Sequence, residues 1–542
     1  MSAAPMDQRS AQQWAEWRQS RRHLLKMGAF GGMGIALGSV AVTSGTFVRS
    51  TSAQEAEPTL GGSIAMSLAD DDVQNFDPII PTDNMSIWTM LLIYDQLIRV
   101  GADGTSLEPG LAESWTKSDD GLVYTFTLRD ATFHDGTACT SADVVYCINR
   151  LVMLEESGWS FLFSAVSTVE GPDPKTVVIT LSTPWAPFEA DLALFGASII
   201  PKAAHEAQGE ALFQAPVGSG PFVFGSWDKG ASITLTKNAS YWDAGKPYLD
   251  ELRFDVLTDA NARMLQFQAG DLDIVTSAPF SQLESLKANP DVTVYEAAVA
   301  RIDYIAINVT RAPLDDVKVR QAINYAVNKD AIIQNVLFGA GQMANTYLPL
   351  MYGHDDTIAG YPFNVDTAKA LIAETAAAGG FELELMIGSG SPTASQIAQL
   401  VAADLSQIGG TVTVTELEAG IHRERLTVTQ DYDMSMSYYT TDIIDPDELT
   451  NFAVQSDGGT SAVWTLYKNE QVDAWVREAQ TELDPEKRLV IYSNIQKQVA
   501  DDAHFLYLYY PTGNTVSQNY VKNFGILPTG NYRLWETWRD DV

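Results

Sequence analysis

The sequence predicts a mixed α/β protein with two lobes joined by a hinge. The chain has 542 residues, which is more than one hydrophobic core usually supports, so at least two domains are expected. Between residues 382 and 438 strand and helix patterns alternate, and this order is typical of a parallel sheet. Near the middle of the chain, residues 304–339 form a pattern of a strand followed by a new helical layer. That stretch predicts the crossing from one lobe to the other.

The crossing stretch begins with alternating residues. Ile305 and Ile307 share one face, so the pattern predicts a strand with one buried face. From Val319 onward apolar residues recur at helical spacing. Asn328 can cap a second short helix, which ends at Gly339. The stretch therefore predicts one strand and two helices in sequence.

Three strands and two helices are predicted in the parallel region. The strands are expected at 382–387, 411–417 and 433–438, with helices at 392–408 and near 420–429 between them. Ligands of such sheets bind beyond the carboxyl ends of the strands. The loop that follows the third strand is therefore the most site-like loop of the chain.

Two crossings divide the chain between the lobes. An apolar strand expected at 505–510 returns to the first lobe, and two crossings create a hinge beside a cleft. Lobe I is predicted to comprise residues 54–303 and 510–542, with an inserted subdomain at about 86–212. Lobe II is predicted to comprise residues 304–509.

The first 53 residues have the features of an export signal. Arg21 and Arg22 resemble the twin-arginine motif, and an uncharged, glycine-rich run follows at 27–48. Small residues offer a cleavage site near Ala53, with Ala56 as the alternative. A membrane anchor is the competing interpretation, but the Gly, Ser and Thr content makes the run only weakly apolar. A periplasmic location is expected.

The charge balance is strongly acidic. The formal net charge is −35, which argues against nucleic-acid partners because they require a basic face. Solubility is the simplest explanation of such a charge, and attraction of cationic ligands is the second.

The two cysteines are predicted to be free thiols. Thr140 and Asp143 fit a capping box for a helix over 141–151. That helix places Cys139 and Cys147 about 12 Å apart along its axis. A disulfide needs Cα atoms within about 7 Å of each other.

Several motifs resemble those of one known family. LAESW at 111–115, YTFTLR at 124–129 and FHDG at 133–136 are similar to the signature of the family 5 extracellular solute-binding proteins. These proteins are the dipeptide-, oligopeptide- and nickel-binding receptors of ABC importers. The resemblance covers nearly all of the chain beyond the export signal and continues, in order, through residues 217–273, 304–339, 432–447 and 484–488.

The resemblance implies a fold and a mode of action. It implies a type II periplasmic-binding-protein fold of the large, peptide-binding subclass, with a hinge and an interlobe cleft. It implies closure of a monomer around a small peptide-like solute, followed by docking on a membrane permease. It implies neither a cofactor nor catalysis.

The resemblance also implies a ligand site. In peptide-binding relatives an Asp in the matching loop pairs with the α-amino group of the ligand, and Asp442 aligns with it. A carboxylate in a closing cleft stabilises an ammonium group by a charge-assisted hydrogen bond; a helix cap or turn is the competing role. Tyr439 is expected either to stack on the ligand or to be an aromatic residue at the core edge. The remaining residues that match ligand-facing positions are Thr440, Thr82, Asp83 and Asn84.

Some features of the sequence bear on the kind of solute and on other functions. Dipeptide-specific relatives place an Arg near the stretch that corresponds to 389–391, and none stands there, which argues against strict dipeptide specificity. A metal chelate or a sugar is the alternative solute. An exported hydrolase is disfavoured because neither a G-x-S-x-G nor an H-E-x-x-H motif occurs beyond the export signal. The histidines lack the spacing of metal ligands, and His134 in its His-Asp-Gly turn is expected to be structural.

Overall fold

The computed structural model describes residues 57–69, 72–80, 83–154, 157–296, 299–456 and 462–542. The predicted export signal, both cleavage positions and Thr82 lie outside the described residues. Within the described ranges, no helix has the length and apolarity needed to cross a membrane.

Strands and helices are interspersed along the described residues. The strands are β1 (Ser63–Leu68), β2 (Ile98–Val100), β3 (Leu107–Pro109), β4 (Ala112–Lys117), β5 (Val123–Leu128), β6 (Val166–Asp173), β7 (Thr176–Leu181), β8 (Phe222–Asp228), β9 (Ser232–Lys237), β10 (Glu251–Val256), β11 (Ile274–Val275), β12 (Val292–Tyr295), β13 (Arg301–Ile307), β14 (Gly341–Met343), β15 (Phe381–Gly388), β16 (Gly410–Leu417), β17 (Met434–Thr440), β18 (Phe505–Pro511), β19 (Thr515–Gln518), β20 (Val521–Lys522) and β21 (Trp538–Arg539). The α-helices span Asn84–Ile93, Ser141–Met153, Phe188–Asp191, Lys202–Gln208, Ala260–Ala269, Phe280–Lys287, Val317–Ala326, Lys329–Asn335, Val365–Ala373, Pro392–Ser406, Ala419–Glu424, Pro446–Ala453, Ala462–Thr465, Glu470–Thr481 and Pro485–Asp502.

Two large sheets organise these elements. A seven-stranded sheet has the order β12-β19-β11-β1-β10-β9-β8, and a six-stranded sheet has the order β14-β18-β13-β17-β15-β16. A separate four-stranded sheet, β4-β5-β7-β6, lies within the segment that the sequence predicts to be an inserted subdomain. The chain passes between the two large sheets after β12 and again after β18. The predicted lobe boundaries are close to these two connections.

The predicted parallel strands are confirmed. β15 pairs in parallel with β16 over its whole length and with β17 at Leu385 and Met386. The two helices that connect these strands, Pro392–Ser406 and Ala419–Glu424, begin close to their predicted positions. The second helix is shorter than predicted because a π-helical turn at Arg425–Thr429 replaces its last turns. The carboxyl ends of these strands therefore meet at one edge of the sheet.

β13 differs from its prediction in two respects. The strand begins at Arg301, three residues before the predicted start, and it is buried on both faces. Ile305 and Ile307 pack into one core, while Ile302 and Tyr304 pack into another on the opposite side. The prediction of a single buried face was wrong because helices cover this central sheet on both sides.

The predicted helix caps and free thiols are confirmed. Asn328 accepts a hydrogen bond from the Ala331 backbone N–H at 3.0 Å. Thr140 and its partner at the third helical position form the predicted capping box at the start of Ser141–Met153. Cys139 and Cys147 are buried and unpaired by any disulfide, and burial raises the pKa of both thiols. Such thiols are poor nucleophiles.

Candidate ligand-binding site

The predicted site loop follows β17 and leads into the helix Pro446–Ala453. Asp445 is the N-cap of this helix, since its Oδ1 accepts the backbone N–H of Asp447 at 2.9 Å. Pro446 occupies the first turn, where its fixed φ suits a helix start. On the other side, the backbone N–H of Thr441 donates to the Ala300 carbonyl at 3.3 Å. The loop is thus held beside the first connection between the two sheets.

The loop and its helix lie where the two halves of the molecule meet. Ile443 is fully buried in the hydrophobic core that belongs mainly to residues 64–274. The Phe452 ring lies 5.6 Å from Trp159 and 5.2 Å from Phe161, measured between ring centroids. Side chains from after β17 therefore pack against the other half of the molecule.

A backbone contact joins the halves at the same place. The Ala186 N–H donates to the Gln480 carbonyl at 2.7 Å. The loop that carries Asp442 is consequently enclosed between the two halves and has little contact with water.

Asp442 is a buried acid that has no cationic partner among the described residues. The residue is 7% exposed, and its Oδ1 atom accepts no hydrogen bond from the described residues. Burial raises the pKa of Asp442 to about 7. A buried carboxylate normally has a cationic partner, because removing the charge from water is costly. The arrangement suits an acid whose counter-ion is supplied by a ligand.

Glu448, which is not among the predicted site residues, shapes the loop. Its Oε2 atom accepts hydrogen bonds from Thr441 Oγ1 at 3.0 Å, the Asp442 N–H at 2.9 Å and the Ile443 N–H at 3.1 Å. Glu448 is 2% exposed. Burial and the nearby Asp442 charge raise its pKa well above the usual range. The signal available in the sequence is an acid in the first turn after Asp-Pro, a position that can bind the backbone preceding a helix.

Tyr439 and Thr440 lie on opposite faces of β17. The Tyr439 ring is 6% exposed and stacks between Tyr304 at 4.7 Å and Trp464 at 5.3 Å. Tyr304 belongs to the core and Trp464 packs against it, and the choice between the two roles of Tyr439 stays a prediction. Thr440 is half-buried and pairs with Arg301 across the antiparallel ladder.

Asp83 and Asn84 lie at the start of a helix in the other half. Asp83 is the N-cap of Asn84–Ile93 and accepts the Ser86 N–H at 2.8 Å. Burial raises the pKa of Asp83, and the charge of Arg423 opposes that rise. Arg423 belongs to the helix that follows β16, so Asp83 experiences a charge from across the boundary. Its capping role is structural, whatever else it contacts.

Two further buried acids meet across the same boundary. Asp191 and Asp447 are fully buried, and each has an Oδ1 atom that accepts no hydrogen bond within the described chain. Trp185 Nε1 donates to Asp191 Oδ2 at 2.9 Å, and Gln480 Nε2 reaches Asp447 Oδ2 at 3.4 Å. Burial raises the pKa of Asp447 to about 7. Burial also raises the pKa of Asp191, and the negative charge of Asp447 raises it further.

The described residues contain no group of three or more His, Cys, Asp or Glu side chains arranged to hold a metal ion.

Residues 106–461 match the family described as Bacterial extracellular solute-binding proteins, family 5 Middle. The chain belongs to this family. Members are the solute-binding receptors of ABC importers, so the predicted family and receptor class are confirmed.

Individual relatives cover most of the chain. A probable D,D-dipeptide-binding periplasmic protein of Escherichia coli (strain K12) is 32% identical over 471 residues, 84% of this chain and 90% of that protein. Heme-binding protein A of Haemophilus influenzae is 31% identical over 469 residues, 81% of this chain and 85% of that protein.

A solved structure supports the fold. A periplasmic binding protein from Helicobacter pylori in complex with the peptide STSA has a TM-score of 0.82 and 26% identity, with 89% of this chain and 99% of that chain covered. The predicted two-lobed α/β fold is confirmed. These family 5 relatives are binding proteins rather than enzymes. Two of them are named as periplasmic proteins, which supports a periplasmic location for this chain.

Proposed function

We propose that this family 5 protein captures a short peptide, or a similar solute with a free amino group, between its lobes and delivers it to a membrane permease. The observation that carries the proposal is Asp442, a buried acid in the interlobe loop whose Oδ1 atom has no hydrogen-bond partner in the described part of the chain. An ammonium group supplies both the missing charge and a hydrogen-bond donor. Such charge-assisted bonds are stronger than neutral ones, and more so where water is excluded.

The lobes are proposed to correspond to the two large sheets. Lobe I then comprises residues 54–303 and 510–542, and lobe II comprises residues 304–509. The two connections between the sheets supply the hinge about which a monomer closes on its solute. Thr440, Asp83 and Asn84 are proposed to line the cleft around the solute, with Thr82 and Tyr439 beside them.

The test of the amine-binding role is Asp442→Asn. Native mass spectrometry of co-purified solute, followed by a screen of short peptides, identifies the free-amine ligand. Truncating one partner of a buried charge pair costs about 2–5 kcal/mol. Calorimetry is therefore expected to show affinity weakened by roughly 30-fold or more.

The N-acetylated form of the same peptide is the matched control, since it has no charge to pair. Asp442→Asn should change its affinity little. Equal affinity of both proteins for the free-amine peptide would rule out the role of Asp442 and would favour a metal chelate or a sugar as the solute.

The export route is also proposed. The Arg21-Arg22 pair before the weakly apolar run suggests export through the twin-arginine pathway, with cleavage near Ala53. Replacing both arginines by Lys should leave the precursor in the cytoplasm. An unchanged periplasmic yield on fractionation would contradict this route.

A further inference from the structure

The loop that carries Asp442 is organised by a second buried acid. One oxygen atom of Glu448 receives two backbone N–H groups and one hydroxyl from residues 441–443, all within 3.1 Å. These three bonds fix the backbone on both sides of the Asp442 Cα atom. The direction of the Asp442 side chain therefore depends on Glu448.

Charged groups around the pair offer no compensation. Asp445 precedes the same helix, but its charge is neutralised by Arg488 of the helix Pro485–Asp502. Asp447, on the same helix turn, and Asp191, from the opposite lobe, are both acids. Among the described residues, no ion pair is formed by either member of the Asp442 and Glu448 pair.

The hydrogen bonds distinguish the two acids. Glu448 receives two backbone N–H donors, which favour its ionised form, whereas Asp442 Oδ1 receives none from the described residues. The Thr441 hydroxyl has one proton, which it can give either to Glu448 at 3.0 Å or to the Ile443 carbonyl at 2.9 Å. Two carboxylates that share a buried site cannot both ionise easily, because each charge opposes the other. The pair is therefore expected to share one proton in the ligand-free protein.

We propose that Glu448 is the positioning residue of the ligand site and that it and Asp442 together carry a single negative charge in the ligand-free protein, until an incoming ammonium group displaces the proton. The displaced proton passes to the solvent, and the ammonium group keeps its own protons. The displacement step rests on the proposed amine-binding function. The coupling between the two acids does not.

The coupling is tested first without any ligand. Glu448→Gln retains an oxygen that can accept the three loop hydrogen bonds but removes the charge. Both acids hold protons more tightly in the folded protein than in the unfolded chain, so their contribution to stability is lost as pH rises from about 4 toward 7. The Tm of Glu448→Gln should therefore rise relative to that of the parent protein over this interval, since one coupled charge is gone.

Asp366→Asn is the matched control. It replaces an acid in the first turn of the helix Val365–Ala373, where the side chain is exposed. Its Tm difference from the parent should stay constant with pH. A constant difference for Glu448→Gln as well would overturn the coupling. Glu448→Ala, which also removes the acceptor, should lower the Tm relative to Glu448→Gln at every pH.

The displacement is tested with trialanine as the probe. Calorimetry near pH 6 in two buffers of different ionisation enthalpy counts the protons released on binding. The parent protein should release close to one proton, and Glu448→Gln fewer, because the charge of Glu448 then no longer opposes the ionisation of Asp442. Equal release by both proteins, or the absence of any release or binding with trialanine, counts against the displacement step.

The outcomes separate the two proposals. If Asp442→Asn binds free amines as well as the parent protein does, the proposed function fails while the Tm comparison still decides the coupling. If Asp442→Asn weakens binding but Glu448→Gln follows the parent protein at every pH, the proposed function stands and the role of Glu448 is refuted.

Discussion

Buried acids in two regions of this receptor have opposite surroundings. In the half of the chain that precedes β13, Asp77 is 1% exposed and its two carboxylate oxygens are bound by Arg150, with Nη1 2.6 Å from Oδ1. At the lobe boundary, Asp442 is nearly as buried and has no such partner among the described residues. The two acids are similar in chemistry and differ in whether the fold supplies a cation.

The site loop contains both arrangements within four residues. Asp445 accepts Arg488 Nη2 at 2.7 Å and caps a helix, so all of its charge is used to build the structure. Asp442 lies in the same loop, and none of the described residues forms an ion pair with it. The difference indicates that a buried acid paired with a cationic side chain of the protein stabilises the fold, whereas a buried acid without such a partner can bind a ligand or a proton.

The largest expected effect comes from removing a cation from a structural pair. Arg488→Met leaves Asp445 buried without a partner, which typically costs about 3–5 kcal/mol. Urea denaturation should show a loss of that size in the free energy of unfolding. The double variant with Asp445→Asn should recover part of it.

An exposed pair provides the contrast for this experiment. Lys318 and Glu374 form an ion pair at the surface, and Lys318→Met should change stability little. If Arg488→Met is as stable as Lys318→Met, the distinction between structural and unpaired acids does not hold.

A smaller effect is expected from the acids that meet across the lobes. Burial raises the pKa of Asp447 to about 7, well above its unfolded value, so its folded form binds a proton more tightly. The associated stability is fully present below about pH 4 and is lost as pH rises through 7. Asp447→Asn should reduce this loss by on the order of 1–3 kcal/mol, measured from unfolding at pH 5 and pH 7.5. Parallel pH profiles for both proteins would contradict the assignment.

The smallest expected effect concerns closure of the lobes. Phe452 contacts Trp159 and Phe161 across the boundary, and aromatic pairs contribute about 0.5–1.5 kcal/mol each. Only the part of this contribution that differs between the open and the closed protein changes affinity, so Phe452→Ala should weaken solute binding by about 10-fold or less. Solution scattering should show that solute reduces the radius of gyration of the parent protein and that the variant remains more open at the same solute concentration.

A contact inside one lobe controls for general loosening. Phe524 packs against Tyr295 with ring centroids 5.1 Å apart, and Phe524→Ala should lower stability without changing the scattering curve. A scattering curve of the parent protein that does not change with bound solute would exclude closure altogether.

The sequence by itself determined the family, the parallel strands and the helix starts at Thr140, Asn328 and Asp484. These features are readable because periodicity and capping depend on neighbours within a few residues along the chain. The Asp-Pro start of the helix Pro485–Asp502 is an example, since Asp484 accepts hydrogen bonds from the next two N–H groups beyond Pro485. The matching Asp442 loop was also placed from the sequence, as the loop after a parallel strand.

Only the tertiary structure decided which acid in that loop is paired. Asp445 finds Arg488 at a separation of 43 residues, and Tyr439 packs against Tyr304, far earlier in the chain. Neither contact leaves a local pattern, because each depends on where separate helices and strands are brought together. Asp442 becomes buried in the same way: Ile443, the next residue, enters the core built mainly from residues 64–274, and that packing encloses the carboxylate.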